Sequence, residues 1–334
     1  MIHVHLENST AKAEPFWLTT ALVDTACASY GNLPGEARFT VGNDPAAIHA
    51  CLSTADVLVT SAGVIADPHF PRGDLARIAP KLRFIHLIDA GVEDVMPLTW
   101  LPAHVQLINN SGVHVEKARE FLLMTLLALN SRLPQIMNNQ WHARWDAIFT
   151  SAIKDKCLLV VGLGDLGKAA VAAGLTLNMR ILGVRRSALA VPGVERVYGP
   201  DRLKEAMALA DFVVICTPLT SQTRNMISRS VLETAKPGAA LVNIGRADVL
   251  DHDALVECLE NGLLSGALLD VLPQEPLPAS SALWTCPNLM INPHVGADDP
   301  TTYMRETMRL LFDNLRAHRR GESLKNVVDR IREY

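Results

Sequence analysis

Three glycines in the middle of the chain constrain its fold more than any other feature. Gly162, Gly164 and Gly167 form a G-x-G-x-x-G pattern that follows the apolar run CLLVV and opens a helix-forming stretch. The first glycine permits a tight turn, the second lets another group approach the backbone, and the third lets the helix pack closely on the strand. The pattern predicts a strand–turn–helix unit that binds the pyrophosphate of a dinucleotide at the helix N-terminus.

Apolar strand-like runs alternate with helical patterns on both sides of this turn. Near-continuous apolar strands separated by helices are typical of parallel sheets covered on both faces. Besides the strand before the glycine turn, the predicted strands are 57–62, 82–90, 180–186, 211–219 and 239–246, and the predicted helices include 115–132 and 303–321. We predict an α/β fold with two doubly wound parallel-sheet domains, a Rossmann cofactor domain and a flavodoxin-like substrate domain, with a cleft between them.

The position of the glycine turn predicts that one domain is discontinuous. About 150 of the 334 residues precede the turn, and they also carry alternating strand and helix patterns. A length of 334 residues suits two domains of about 150 residues each. We predict a dinucleotide-binding domain over 104–295 and a substrate domain formed by 1–103 together with 296–334.

Composition and charge exclude several classes of protein. Lys and Arg total 31 against 35 Asp and Glu, so there is no basic excess to bind a nucleic acid. The longest strongly apolar run, 121–129, is far shorter than the about 20 residues of a membrane-spanning helix. The first residues lack the basic and apolar regions of a signal peptide, and the six cysteines include no C-x-x-C pair. We therefore expect a cytoplasmic protein with neither nucleic acid nor membrane as a partner.

The end of the second strand after the glycine turn indicates which dinucleotide binds. In domains that bind NAD, an Asp or Glu at this position, about 20 residues after the glycine turn, binds the ribose 2′-hydroxyl. Here Arg185, Arg186 and Ser187 stand instead. Two guanidinium groups can pair with a 2′-phosphate, and the hydroxyl can donate to it. We predict that NADP(H) is preferred over NAD(H), the alternative being that both arginines are only solvated charges.

Several polar segments carry a resemblance to a known family. Three segments beyond the glycine turn hold side chains that apolar strands would not need: NIGRADVLD (243–251), LLDVLPQEPLP (268–278) and INPHVGA (291–297). Four more match in order: DAGVED (89–94), NNSGVHVEKARE (109–120), CTPLTSQT (216–223) and LWTCPNL (283–289). Together they resemble the D-isomer-specific 2-hydroxyacid dehydrogenase family over nearly the whole chain. The arginines after the second strand and the VVDRIREY ending are most similar to the glyoxylate/hydroxypyruvate reductase branch.

The resemblance implies a catalytic or substrate-binding role for five residues. His294 matches the family's acid/base histidine, and Glu275 matches the carboxylate paired with it. Arg246 matches the arginine that binds the substrate carboxylate and polarises the carbonyl. Ala90 and Gly91 match the loop whose backbone N–H groups help to hold that carboxylate.

The resemblance and the glycine pattern together predict the cofactor contacts. Asp270 matches the family's aspartate near the nicotinamide carboxamide, and Thr217 and Pro218 match the loop around the adenosine side. Cys216 is predicted to be a small apolar residue beside the cofactor rather than a reactive thiol. The predicted cofactor-binding residues are Gly162, Gly164, Asp165, Leu166, Gly167, Arg185, Arg186, Ser187, Cys216, Thr217, Pro218, Ile244 and Asp270.

The chemistry of 2-oxoacid reduction explains why these residue types suit the reaction. A hydride goes to the carbonyl carbon and a proton to its oxygen, and histidine is well suited to give that proton near neutral pH. A nearby carboxylate favours the imidazolium and can select the tautomer. A guanidinium orients a carboxylate and stabilises the charge that grows on the carbonyl oxygen. We predict NADPH-dependent reduction of small 2-oxoacids, such as glyoxylate or hydroxypyruvate, to D-2-hydroxyacids.

Two other functions stay open at this point. The first is another dehydrogenase of the same fold, acting on formate, phosphite or phosphoglycerate. The second is a dinucleotide-sensing binding protein without catalysis, like the family's transcriptional co-repressors. Retention of Arg246, Glu275 and His294 favours an enzyme.

Five further residues carry weaker signals. His3 and His5 share one face of a predicted strand, but no third ligand is near in sequence and we predict no metal site. Trp141 and Trp145 either belong to the core or form part of an arm that reaches a second subunit, an idea that comes only from the resemblance. A two-fold homodimer is the default assembly. Ala247 stands where the family often has glycine, and a positive φ there would strain the backbone by about 1 kcal/mol.

Overall fold

Two parallel sheets organise the chain, each in its own compact unit. The computed structural model describes residues 1–9, 12–30, 37–44 and 47–334. The first unit comprises Met1–Val113 and Asp299–Tyr334, and the second comprises His114–Asp298. The chain therefore builds most of the first unit, then the whole second unit, and returns to the first.

The sheet of the first unit has five parallel strands. They are β1 (Ile2–Glu7), β2 (Ala37–Gly42), β3 (Val57–Thr60), β4 (Phe84–Leu87) and β5 (Gln106–Ile108). The helices that precede the crossing to the second unit are α1 (Thr20–Tyr30), α2 (Ile48–Leu52), α3 (Ala62–Ala66) and α4 (Leu75–Ile78). The strand order is β2-β1-β3-β4-β5, which is the flavodoxin-like order.

The sheet of the second unit has seven parallel strands. They are β6 (Cys157–Val161), β7 (Arg180–Val184), β8 (Arg196–Tyr198), β9 (Phe212–Ile215), β10 (Ala239–Asn243), β11 (Leu264–Leu269) and β12 (Leu289–Ile291). The helices are α5 (Val115–Asn130), α6 (Leu133–Trp141), α7 (Asp165–Thr176), α8 (Leu203–Leu209), α9 (Arg229–Leu232) and α10 (His252–Glu260). The order β12-β11-β10-β9-β6-β7-β8 is the Rossmann order with one added strand, and it reverses between β6 and β9.

Alternating side chains cover both faces of the second sheet. Leu159 and Val161 of β6 belong to one buried cluster, whereas Leu158 and Val160 belong to another on the opposite face. A strand buried on both faces needs an unbroken apolar sequence, as CLLVV has. This burial is the physical reason that the strands could be recognised in the sequence.

The last helix, α11 (Tyr303–Arg320), returns to the first unit. Its buried apolar residues recur at helical spacing and pack on side chains of β1, β3 and β4; they include Met304, Met308, Leu311, Phe312 and Leu315. Gly321 ends it in the left-handed conformation with a φ of 67°. The predicted helix 303–321 therefore forms because its apolar stripe has a sheet to cover.

The prediction of two parallel-sheet α/β domains is confirmed, and every strand and helix predicted by range is present. The predicted domain limits differ from those of the two compact units at both crossings. Strand β5 pairs with β4 in the first sheet, so the first unit continues to Val113 rather than ending at 103. The chain returns at Asp299 rather than at 296. Strand β5 was not predicted because its three residues are too short a run to be recognised as a strand.

The segment around Trp141 and Trp145 is exposed, which makes the core alternative wrong. Helix α6 ends at Trp141, so Trp145 lies beyond it and the two side chains do not share a helical face. Trp141 is 88% exposed, Trp145 is 100% exposed and Phe149 is 93% exposed.

None of the helices in the described residues is long and apolar enough to cross a bilayer.

His3 and His5 are held in a buried polar chain within the first unit. A ring nitrogen of each lies 2.8 Å from the hydroxyl of Thr40, and the other nitrogen of His5 lies 2.9 Å from a carboxylate oxygen of Glu7. Within the described ranges, no group of three or more His, Cys, Asp and Glu residues is placed to hold a metal ion. These histidines are therefore accounted for by hydrogen bonds inside the fold.

A buried histidine in β4 predicts that the stability of the first unit depends on pH. His86 is fully buried, and neither ring nitrogen has a hydrogen-bond partner among the described residues. Burial lowers the pKa of His86 to about 4, an effect that nearby Asn110 partly opposes. The ring is therefore neutral in the folded protein, whereas it takes up a proton below about pH 6.5 in the unfolded chain.

We expect His86 to cost the protein about 3 kcal/mol of stability as the pH falls from about 7.5 to about 4. This loss begins below about pH 6.5, because only the unfolded chain then gains the proton. Denaturant unfolding at the two pH values measures it as the difference between the wild type and His86→Leu. His104→Leu, in an exposed loop of the same unit, is the control. An equal acid sensitivity in the wild type and His86→Leu would contradict the assignment.

Candidate active site

The predicted site residues of the second unit follow the carboxyl ends of its strands. Because the strands are parallel, these ends share one edge of the sheet, where α/β proteins bind ligands. In the spatial order of the strands the edge carries Arg185–Ser187 after β7, Gly162–Gly167 after β6, Cys216–Pro218 after β9, Ile244–Arg246 after β10, Asp270 after β11 and His294 after β12. Neighbouring strands are about 4.8 Å apart, so the row extends over about 24 Å.

The glycine turn has the conformation that its sequence requires. Gly162 has a φ of 97°, a region that residues with a Cβ atom rarely adopt. A Cβ atom on Gly167 would lie 2.0 Å from the carbonyl oxygen of Gly162, so only glycine lets α7 start this close to the strand. The N–H of Gly162 donates to the carbonyl of Val184 at 2.9 Å, which joins the turn to the end of β7.

The space around the turn suits the phosphates of a dinucleotide. A Cβ atom on Gly164 would meet no heavy atom within 4 Å, so this residue faces open space. Gly164 precedes the first turn of α7, and no side chain caps that helix end. Its N–H groups therefore point to the position where a pyrophosphate would bind. The hydroxyl of Thr217, buried beside Gly162, has no partner among the described residues.

The remaining contacts predicted for the cofactor differ in exposure. Arg185 is half-buried, and Arg186, Ser187 and Pro218 are exposed. The carboxylate of Asp165 is 2.8 Å from the ammonium of Lys168, and Leu166 packs partly buried against the core. Cys216 and Ile244 are buried, and burial raises the pKa of the Cys216 thiol. Cys216 is thus packed in the interior, where burial disfavours the thiolate.

His294 and Glu275 form a direct pair. Nδ1 of the imidazole lies 2.8 Å from Oε2 of the carboxylate, although the two residues are 19 positions apart. The other carboxylate oxygen accepts the backbone N–H of Leu272 at 2.9 Å, which holds Glu275 in place. A carboxylate can only accept, so the hydrogen sits on Nδ1 and leaves Nε2 to exchange a proton with a ligand.

Asp270 holds the loop that carries His294. One oxygen of this buried carboxylate accepts the backbone N–H groups of Val295 at 3.1 Å and Gly296 at 3.0 Å, together with the side-chain amide of Asn292. His294 has a φ of 57°, a left-handed conformation that these bonds on either side of it stabilise. Burial raises the pKa of Asp270, while the three donors act in the opposite direction.

Arg246 lies three residues after the end of β10, at the carboxyl edge of the sheet. Its side chain is half-buried, and Nη1 donates to the carbonyl of Gly245 at 2.7 Å. Ala247 begins a 3-10 helix and is not among the residues with a positive φ, so the strain considered for alanine at this position is absent.

Ala90 and Gly91 belong to the first unit, at the carboxyl end of β4. The side-chain amide of Asn109 donates to the carbonyl of Ala90 at 3.1 Å. The preceding residue, Asp89, accepts the backbone N–H of Ala62 at 2.7 Å and pairs with Lys12 at 2.6 Å. Three loops after parallel strands therefore support the short segment that contains Ala90 and Gly91.

A family model supplies the deciding comparison. The NAD binding domain of the D-isomer specific 2-hydroxyacid dehydrogenases matches residues 123–296, which is more than half of the chain. This chain belongs to the D-isomer specific 2-hydroxyacid dehydrogenase family. It is an oxidoreductase that acts on a CH–OH group, and its second unit is an NAD(P)-binding domain.

Related proteins support the family assignment along nearly the full length. This 2-hydroxyacid dehydrogenase is 31% identical over 292 residues to glyoxylate/hydroxypyruvate reductase B of Pectobacterium carotovorum, covering 85% of this chain and 89% of the relative. A solved family member from Aeromonas salmonicida is 27% identical with a TM-score of 0.81, covering 98% of this chain and 99% of that one. An NADPH-dependent glyoxylate/hydroxypyruvate reductase of Sinorhizobium meliloti, solved with NADP and sulfate, is 25% identical with a TM-score of 0.80 over the full length of both chains.

Our interpretation of the sequence missed the side chains that hold the site residues in place. Asn292 stands two residues before His294 and binds Asp270, and Asn109 binds the carbonyl of Ala90. Both asparagines lie within segments recognised as polar, INPHVGA and NNSGVHVEKARE. Their position directly after a strand was the available signal, but their partners are distant in sequence.

Proposed function

We propose that this dehydrogenase uses NADPH to reduce small 2-oxoacids, with glyoxylate and hydroxypyruvate as the first candidates, to D-2-hydroxyacids. The observation that carries the proposal is the His294–Glu275 pair, which ends the same sheet edge as the glycine turn and Arg246. The names of the relatives from Pectobacterium and Sinorhizobium support the choice of substrates.

In this proposal His294 gives the proton. A bound nicotinamide supplies the hydride. Glu275 keeps the hydrogen of the imidazole on Nδ1, so Nε2 delivers its own proton to the substrate's carbonyl oxygen and leaves a neutral ring. The imidazolium form must be restored before each turnover, so a proton is taken up from solvent between cycles.

Arg246 is the proposed partner of the substrate carboxylate and carbonyl. Its guanidinium offers parallel N–H donors that match a carboxylate, and its fixed charge stabilises the negative charge that develops on the carbonyl oxygen. Ala90 and Gly91 of the first unit are proposed to bind the same carboxylate through their backbone N–H groups. The groups proposed to bind the substrate carboxylate, a guanidinium and two backbone N–H groups, are therefore all hydrogen-bond donors.

The preference for NADPH rests on the end of β7. Arg185 and Arg186 stand where a carboxylate would be expected for NAD, and no acidic residue occurs between 185 and 190. The solved Sinorhizobium reductase with bound NADP supports the same preference. Ser187 adds a hydroxyl that can donate to a 2′-phosphate.

Turnover of a substrate panel with both cofactors tests this proposal. The loss of NADPH absorbance is followed with glyoxylate, hydroxypyruvate, phenylpyruvate and other 2-oxoacids, and each reaction is repeated with NADH. We expect glyoxylate or hydroxypyruvate to give the highest kcat/KM with NADPH. Oxidation of formate, phosphite or phosphoglycerate instead would assign a different dehydrogenase, and tight cofactor binding without any turnover would favour a sensor.

A homodimer is the second part of the proposal. Five large apolar side chains of the second unit are exposed, and exposed apolar side chains in such number are typical of an interface; they are Trp141, Trp145, Phe149, Met124 and Leu127. A second copy offers the same surface and can cover it by two-fold pairing.

We expect sedimentation velocity to give a dimer for the wild type and a monomer for the double variant Trp141→Ser/Phe149→Ser. The physical reason is the loss of two large apolar contacts per copy. Ile331→Ser removes an equally exposed side chain from the other unit and serves as the control. A wild type that sediments as a monomer at all concentrations would contradict the pairing.

A further inference from the structure

A buried asparagine forms two hydrogen bonds within the turn that contains Arg246. Asn243 is the last residue of β10 and is completely buried, although the rest of that strand is apolar. Its side-chain oxygen accepts the backbone N–H of Gly245 at 3.0 Å, and its amide donates to the backbone carbonyl of Arg246 at 3.0 Å. One side chain therefore holds the backbone of both Gly245 and Arg246, and this backbone sets the position from which the arginine side chain extends.

The same turn also packs closely on the backbone of Thr217, in the loop after β9. A Cβ atom on Gly245 would lie 2.7 Å from the carbonyl oxygen of Thr217 and 3.2 Å from its nitrogen. The glycine therefore allows an approach that any larger residue would prevent. The turn 244–246 is thus bonded to Asn243 and packed closely against Thr217.

Asn243 is itself anchored to the two neighbouring strands. It pairs with Ile215 of β9 and with Leu269 of β11, and its carbonyl accepts the N–H of Asp270 at 2.9 Å. Asp270 in turn holds the loop of His294. Asn243 therefore connects the turn that carries Arg246 to the strand that positions the histidine loop.

The chemistry of the position requires an amide. An apolar side chain of similar size would leave the N–H of Gly245 buried without this acceptor, and an unsatisfied buried donor is unfavourable. An aspartate could accept from Gly245, but it would face the carbonyl of Arg246 with a second acceptor. Only a group with one acceptor and one donor serves both bonds.

We propose that Asn243 is a positioning residue that fixes the direction of Arg246 toward the substrate carboxylate. It acts through Arg246 and does not itself touch the reacting atoms. The inference rests on the proposed function, because it assigns to Arg246 the binding of a 2-oxoacid. It adds a determinant of substrate binding that lies outside the residues of the proposed reaction.

Two substitutions separate the two hydrogen bonds. Asn243→Ser keeps a hydroxyl that can accept from Gly245 but cannot reach the carbonyl of Arg246 as well, whereas Asn243→Ala removes both bonds. We expect kcat/KM for the 2-oxoacid to fall roughly 10- to 100-fold in Asn243→Ala, mainly through a higher KM, and to fall less in Asn243→Ser. The Kd of NADPH stays within about threefold of the wild-type value, because among the described residues the Asn243 side chain bonds to Gly245 and Arg246 rather than to the glycine turn or the residues after β7.

Asn261 provides a matched control. Its side-chain oxygen also accepts the backbone N–H two residues on, that of Leu263 at 2.9 Å, but it lies in an exposed turn after α10. Asn261→Ala should leave the KM for the 2-oxoacid and the Kd of NADPH unchanged. If the Asn243 variants lose thermal stability while the KM and kcat for the 2-oxoacid equal those of the wild type, the residue is only structural and the proposal is overturned.

A second measurement does not depend on turnover. Phenylglyoxal modifies accessible arginines, and mass spectrometry measures the rate at Arg246 with Arg185 as an internal reference. We expect Arg246 to be modified several-fold faster in the folded Asn243→Ala and Asn243→Ser variants than in the wild type. Equal rates would overturn the positioning role, whereas failure of the wild type to reduce any 2-oxoacid would overturn only the proposed function.

Discussion

Replacing His294 by alanine is expected to lower kcat for 2-oxoacid reduction by at least 100-fold, within the ~10²–10⁴ range for general acid–base catalysis. The imidazole is the proposed source of the proton for the carbonyl oxygen, and its pairing with Glu275 at 2.8 Å leaves Nε2 for that transfer. Water would then have to supply the proton without orientation. Cofactor binding should be unchanged, because the glycine turn lies four strands away on the same edge.

The chain contains a control with the same local chemistry. Nδ1 of His69 lies 2.8 Å from a carboxylate oxygen of Asp67, in an exposed loop of the first unit. His69→Ala removes a histidine–carboxylate pair of the same length and should leave kcat unchanged. Steady-state kinetics with saturating NADPH compares the variants, and near-normal turnover in His294→Ala would remove this residue from the mechanism.

The double variant Arg185→Gln/Arg186→Gln is expected to lower kcat/KM for NADPH by about 100-fold. Charge-assisted hydrogen bonds to a phosphate contribute about 1.5–3 kcal/mol each in buried settings, and solvent screening reduces this at the half-exposed end of β7. Two such contacts amount to about 3 kcal/mol, which corresponds to this ratio. NADH lacks the 2′-phosphate, so its kcat/KM should change by less than about threefold.

Arg180 gives a control on the same strand. It lies at the amino end of β7 and pairs with Glu195 at 2.8 Å, whereas Arg185 and Arg186 follow the carboxyl end. Arg180→Gln removes the same charge from the protein and should leave the ratio of NADPH to NADH efficiency unchanged. An equal loss with both cofactors in the double variant would mean that the arginines support the fold rather than the phosphate.

The parts of the fold that could be predicted depend on short stretches of sequence. Gly162, Gly164 and Gly167 predicted the turn correctly because conformation and close approach act within six residues. Apolar strands such as CLLVV were recognisable because both faces are buried. Strand β5 was missed because a three-residue strand has too few side chains to show a pattern.

The candidate site was predictable only in part, for a related reason. Arg246, Glu275 and His294 could be singled out because each lies in a polar motif of the sequence. Their catalytic roles stay predictions. The supporting contacts of Asn243 and Asn292 could not be found in this way, because each depends on which loops the fold brings together. The exposure of Trp145 was likewise undecided, since an aromatic residue has the same sequence signature in a core and at an interface.

Local patterns alone therefore determined that this chain has two parallel-sheet domains, a dinucleotide turn and the family's polar motifs. Glycine conformation and strand burial are short-range effects that adjacent residues express. The tertiary structure decided the order of the strands, and with it the alignment of Arg185, Gly162, Arg246 and His294 along one edge. That alignment arises from hydrogen bonds between strands far apart in the chain, and no short segment contains both partners of such a bond.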